Sequence, residues 1–177
     1  SFFQLPFAGF LPTFDRAPQF SEGVKIENKE SLSRHFNMTK QRLQLIRSIE
    51  LLIIDEVSML RADLLDAIDW TLRSIRKRNE SFGGVQVLFI GDLLQLPPVI
   101  KNEEWAELKN YYSGIFFFHA KVVQENPPLF IELTKIYRQD DERFIHLLNH
   151  LRNNQIDATD IQVLNEYVHP NFDVKNN

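Results

Sequence analysis

Two adjacent carboxylates, Asp55 and Glu56, follow directly on the apolar run Leu51-Leu52-Ile53-Ile54. A third acid, Asp92, and an amide, Gln95, follow a second such run, Val85 to Ile90. Acids at strand ends can do two kinds of work. One carboxylate can hold a hard divalent cation through oxygen, while its neighbour draws a proton from a water molecule. A plainer role stands beside this one, since a strand-end Asp commonly caps the helix that follows. The choice between them depends on whether the surrounding elements bring these side chains to one place.

An unbroken apolar run of this kind fits a strand buried on both faces, as in a parallel sheet flanked by helices. The strand is predicted to end at Asp55 and Glu56. A helix then runs over roughly 62–78, with Leu64, Ile68, Leu72 and Ile75 on one apolar face. Asp63, Asp66 and Asp69 fall in its first half and Arg73, Arg76, Lys77 and Arg78 at its end. That order complements the helix dipole, and Asp69 with Arg73 makes a favourable i, i+4 pair. Gly83-Gly84 turns the chain into the second strand. Strand, helix and strand joined by short connections imply a right-handed crossover and parallel pairing. Asp92 then emerges beside Asp55 and Glu56, on the edge where open α/β sheets bind ligands. Three acids and Gln95 thereby meet on one rim from segments about forty residues apart. The first strand with its acid pair resembles a Walker B strand, whose first acid helps hold Mg²⁺ and whose second polarises the water attacking a γ-phosphate.

The remaining segments are read more coarsely. Prolines 6 and 12 exclude a continuous helix in the aromatic opening, and residues 12–30 read as a loop. Asn37 or Thr39 is placed as the cap of a helix ending near Ser48. Its Met38, Leu43 and Ile46 face inward, with Lys40, Arg42 and Arg47 solvated. Two short helices are expected over 102–125, split at Ser113-Gly114, with Trp105, Leu108 and the Phe116–Phe118 run as core. A third strand is predicted over Leu129–Leu133. Asp140-Asp141-Glu142 then open a helix burying Phe144, Leu147, Leu148 and Leu151, and a last short helix covers Ile161 to Tyr167.

The chain of 177 residues suits one domain with a proper core, in which 15 Phe dominate. A net charge of −4 gives no global basic signal for nucleic acid, although a local groove can be positive on an acidic protein. With no cysteine, disulfides, thiolate metal sites and a Cys nucleophile are excluded. No apolar run reaches the length of a membrane span. The start at Ser1, without methionine, is expected to mark a segment of a longer protein.

Three stretches taken together, Asp55-Glu56-Val57-Ser58-Met59, Gly91-Asp92-Leu93-Leu94-Gln95-Leu96-Pro97-Pro98 and Leu133-Thr134-Lys135-Ile136-Tyr137-Arg138-Gln139, resemble motifs II, III and IV of the PIF-type DNA helicases. These are RecD-related, 5′-to-3′ motors of helicase superfamily 1. Ser1-Phe2-Phe3-Gln4-Leu5-Pro6 is similar to the tail of motif Ib, and Val57 to Arg76 to the family's signature helix. The resemblance implies an α/β fold, a partial RecA-like (P-loop NTPase) motor domain whose parallel sheet lacks the P-loop strand. The resemblance covers most of residues 1–10 and 50–152 and implies a motor domain over 1–152, with 5–48 a loop-rich accessory insert and 153–177 an extension leading toward a second motor domain. It further implies ATP and Mg²⁺ as cofactors. Asp55 would coordinate the metal and Glu56 activate water. Gln95 would sense the γ-phosphate, with Asp92 as a positioning or capping acid beside it. Arg138 would neutralise charge on the transferring phosphoryl group. Ser1, Phe2 and Phe3 would border the single strand, where a stacked base is worth about 1–3 kcal/mol.

The expected partners are single-stranded DNA and duplex junctions, with no membrane, and a monomeric motor. The expected location is the cytoplasm, or the nucleus or mitochondrion of a eukaryote. The sequence contains no Gly-x-x-x-x-Gly-Lys-Ser/Thr, so the chain alone is expected neither to hydrolyse ATP appreciably nor to unwind DNA. Two other readings remain open here: a non-catalytic DNA- or protein-binding module, and a metal-dependent nuclease using Asp55, Glu56 and Asp92.

Overall fold

In the computed structural model, which describes residues 3, 5, 8–14, 19–21, 24–34, 38–135, 137 and 141–168, three short strands come first. They are β1 (Gly9–Leu11), β2 (Gln19–Ser21) and β3 (Val24–Asn28). They pair in the order β1-β3-β2, with β1 parallel and β2 antiparallel to β3. The expected loop over 12–30 therefore contains two strands. Its pairing partner β1 lies outside that stretch, so local composition could not show it. Asn28 and Ser31 then cap one another, each side chain accepting the other's amide at 2.9 and 2.8 Å, and start α1 (Lys29–Arg34).

Helix α2 (Lys40–Ser48) begins at Thr39, whose hydroxyl accepts the Arg42 amide, and it buries Ile46. Next come β4 (Leu51–Ile54), α3 (Ala62–Arg76) and β5 (Gln86–Phe89). β4 and β5 run parallel, with Leu51 opposite Gln86 and Ile54 opposite Phe89, as the crossover reading requires. Helices α4 (Asn102–Leu108) and α5 (Lys121–Glu125) follow, then α6 (Glu142–Arg152) and α7 (Ala158–Glu166). The chain forms two units, Ser1–Leu129 and Phe130–Asn177. Among the described residues no helix is long and apolar enough to cross a membrane.

The sheet differs from expectation on one face. Leu52, Ile54, Val87 and Phe89 pack against the main core, but Leu51, Ile53, Leu88 and Ile90 are 48%, 54%, 46% and 44% exposed. Side chains alternate across a strand, and the described helices cover only one side of this sheet. The third strand is absent from the described residues. Leu129 to Leu133 is exposed and carries no ladder, because among the described residues no neighbouring strand offers its hydrogen bonds. Phe116, Phe117 and Phe118 are half-buried, with Phe117 and Phe118 against the core and Phe116 stacked on Phe118 at 5.4 Å. On α6 only Leu147 is buried, while Phe144, Leu148 and Leu151 are exposed.

Helix α3 holds the first unit together from almost every side. Ala62, Leu65, Ile68, Leu72 and Ile75 enter the main core, with Leu65 taking the place predicted for Leu64. Its three acids are buried as well. Asp63 accepts the Phe10 amide at 3.0 Å and pairs with Arg61, which also reaches Glu104 of α4 at 2.7 Å. Asp66 accepts the amides of Lys121 and Val122, capping α5. Asp69 accepts the Phe82 amide at 2.6 Å and holds Arg73. Sequence logic assigned these acids to the helix dipole, but each also fixes a different distant segment.

Burial raises the Asp66 carboxyl to about 6, against the downward pull of the Val122 and Lys121 amides. An acid with a raised folded-state value binds more protons folded than unfolded between its ordinary value of 3.8 and about 6. Its contribution to stability therefore falls as pH rises through that window, by on the order of 3 kcal/mol. Asp66→Asn keeps the shape and removes the titration. Urea melts at a series of pH values are expected to show a profile flatter by that amount between pH 4 and 6, and superimposable profiles would refute the assignment.

Candidate nucleotide and metal site

The parallel register brings the two motif-bearing loops out at one end of the sheet. Ile54 lies opposite Phe89, so the next residues, Asp55 and Ile90, leave the ladder side by side. Two further backbone bonds extend the pairing: Ile90 donates to the Ile54 carbonyl and Val57 donates to the Ile90 carbonyl, both at 2.9 Å. Gly91 then passes so close that a Cβ there would stand 2.9 Å from the Val57 nitrogen. A bare glycine is what allows the two loops this approach.

Between them the backbone is strained. Glu56 adopts φ 51°, ψ 43°, the left-handed region, uncommon for a residue with a long side chain and costing of order 1–3 kcal/mol. Asp55 helps impose this turn, since its Oδ1 accepts the Glu56 amide at 2.9 Å. Both acids are exposed at the rim. Val57 and Ser58 behind them are buried, and the Ser58 hydroxyl has no hydrogen-bond partner among the described residues. The sequence gives no signal for either the left-handed turn or the orphaned hydroxyl.

The opposite loop organises itself. The Asp92 carboxylate accepts the Leu94 amide at 3.1 Å, and its carbonyl accepts the Gln95 amide at 3.0 Å. Asp92 thus closes a tight turn that presents Gln95, which is exposed. Asp55, Glu56, Asp92 and Gln95 accordingly share one sheet edge. Arg138 lies outside the described residues, as do Ser1 and Phe2. Phe3 is half-buried against the main core.

The donor chemistry suits Mg²⁺. One exposed carboxylate, Asp55, with an oxygen steadied by a backbone amide, matches a cation that retains waters and takes one or two carboxylates plus phosphate oxygens. A three-carboxylate cluster is another matter. Among the described residues Asp55, Glu56 and Asp92 do not converge as a metal-ligating group, which removes the geometric basis of the nuclease reading. Two surface clefts, one lined by Tyr111, His119 and Lys121 and the other by Arg73, Glu80 and Asn126, do not include the acid rim. Their walls lack a comparable set of acids at a strand end, so the rim remains the candidate site.

The PIF1-like helicase family matches residues 18–162. The chain belongs to the PIF1-like helicases. The ATP-dependent DNA helicase PIF1 of Saccharomyces cerevisiae is 37% identical over 136 residues, 76% of this chain and 15% of the yeast protein. Among solved structures, Pif1 helicase from Bacteroides in complex with ADP-AlF3 and single-stranded DNA superposes with TM-score 0.78 at 41% identity. That match covers 93% of this chain and 34% of the bacterial one. A structure of two coordinating Pif1 helicases at forked double-stranded DNA gives TM-score 0.77 at 37% identity, covering 97% and 37%. The chain thus spans about a seventh of the yeast relative and about a third of each of these two Pif1 chains. At these identities the α/β fold with parallel strands is the partial RecA-like architecture expected for a PIF1-like motor domain.

Proposed function

We propose that this chain is the part of an ATP-dependent DNA helicase that positions Mg²⁺ and the attacking water at the γ-phosphate. The observation that carries this reading is the pinned sheet edge, where the strained Glu56 turn and the Asp92–Gln95 turn emerge side by side. Asp55 holds the cation, which supplies charge neutralisation at the phosphates when bound. Glu56 accepts a proton from the water. Gln95 reads the γ-phosphate, Asp92 holds the Gln95 turn in shape, and Arg138 offsets charge on the transferring group. Ser1, Phe2 and Phe3 border the single strand, and residues beyond 152 lead toward a second motor domain. One copy carries out the motor cycle, moving 5′ to 3′.

The relatives support this assignment: the yeast protein is an ATP-dependent DNA helicase, the Bacteroides Pif1 structure is a complex with ADP-AlF3 and single-stranded DNA, and a further Pif1 structure concerns unwinding at forked double-stranded DNA. The test uses the full-length parent on forks carrying either a 5′ or a 3′ single-stranded tail. ATP-dependent strand separation is expected on the 5′-tailed fork alone. Separation without ATP, or only from a 3′ tail, would reject the reading.

A further inference from the structure

In the second unit, α6 and α7 bring together three side chains that ligate metals. His146 and His150 sit one turn apart on α6, on the same face by their i, i+4 spacing, with ring centroids 3.8 Å apart. From α7, Asp160 approaches so that its Oδ2 lies 2.7 Å from His150 Nδ1. One donor atom from each residue lies within 4.8 Å of the other two. Asp160 is buried, and its position is fixed from behind. Its Oδ2 accepts the Asp157 amide at 3.1 Å, while Asp157 accepts the amides of Thr159 and Asp160 in a capping box. Desolvation acts to raise the Asp160 carboxyl, but the Asp157 amide and His150 outweigh it and hold it below the usual range.

We propose that His146, His150 and Asp160 form a site for a divalent first-row transition metal of the zinc class, clamping α6 to α7. Two imidazole nitrogens and one carboxylate oxygen are a donor set for zinc, with the fourth position left to water. Mg²⁺ and Ca²⁺ prefer oxygen throughout, so the site differs in kind from the Asp55 rim. Metal–ligand bonds of about 2.0–2.2 Å place tetrahedral ligand atoms roughly 3.4 Å apart. The His150–Asp160 pair must widen by less than an ångström, and the exposed His146 ring supplies the closing movement. His150 ligates as a neutral imidazole through Nδ1, its one ring proton carried on Nε2, so the metal takes the place of the Nδ1 hydrogen bond to Asp160.

The test titrates the metal-free 177-residue chain with Zn²⁺ by calorimetry and with Co²⁺ followed by visible absorption. One equivalent of Zn²⁺ is expected to bind and raise Tm, and Co²⁺ to give the intense bands of four-coordination. His146→Gln and His150→Gln should each weaken Zn²⁺ binding about 100-fold or more, beyond the loss seen when only a ligand's supporting contact is removed. His119→Gln, whose ring contacts Ser113 in the other unit, should leave it unchanged. His146 makes no hydrogen bond to Asp160, so its variant keeps the capping box, and an unaltered far-UV spectrum checks this. Absence of saturable binding, or affinity unchanged in both the His146 and His150 variants, would overturn the proposal.

Discussion

In the full-length parent, Glu56→Gln is expected to leave nucleotide binding nearly unchanged and to cut ATP hydrolysis by about 10²- to 10⁴-fold. Gln matches Glu in shape and can occupy the same left-handed turn, so the loop and the Asp55 contact with its amide persist. What is lost is the capacity to take a proton from the attacking water. Asp55→Asn should behave differently, weakening Mg²⁺-dependent binding as well as turnover, because it removes the charge that would hold the cation. The two variants are separated by measuring affinity for a labelled ATP analogue with Mg²⁺ alongside steady-state hydrolysis. Turnover within a few-fold of wild type in the Glu56 variant would remove the water-activating role.

Arg76→Ala is expected to lower the stability of the first unit by about 3 kcal/mol, the scale for losing several hydrogen bonds from one half-buried charge. From the last turn of α3 this one guanidinium donates to the carbonyls of Ile46, Arg47 and Ile49 through Nη1, and to Gly83 through Nε at 2.8 Å. Ile49 stands just before β4 and Gly83 just before β5. The side chain therefore ties together the entry points of both strands, and indirectly the register that aligns Asp55 with Ile90. For a protein of this size the loss corresponds to a Tm lower by roughly 10 °C. Arg76→Lys should recover little, since a single ammonium cannot reach carbonyls on two sides as a planar fork does. Thermal melts of the three proteins provide the check, and a Lys variant as stable as wild type would refute the bridging role.

How far these features can be read from sequence depends on where their causes lie. β4, α3 and β5 are legible because an apolar run, a helical period and a Gly-Gly turn are local signals, and parallel pairing follows from their order. The alternating exposure of β4 is not legible, because Leu51 and Ile53 are as apolar as Leu52 and Ile54. Only the neighbours tell them apart. Leu129–Leu133 has strand composition but no partner among the described residues, whereas β3 has a partner through long-range pairing that its composition conceals. At the site, residue identities pointed to the acids and Gln95, while the left-handed Glu56 turn and the Gly91 contact exist only once two strands align. The His146-x-x-x-His150 spacing stood in plain view. It gains meaning when Asp160 arrives from another helix.

The three buried acids of α3 also bear on how this chain can be cut. Asp63 is bound to Phe10, 53 residues before it, and Asp66 to Val122, 56 residues after it. Any shorter piece that keeps α3 but drops either flank removes an amide that one of these carboxylates accepts. Asp63 keeps its Arg61 partner, whereas Asp66 loses the amides of both Lys121 and Val122, and a buried acceptor left without its donor costs about 1–3 kcal/mol. Boundaries for dissecting the first unit therefore belong outside Phe10 and Val122, and the acid rim travels with both.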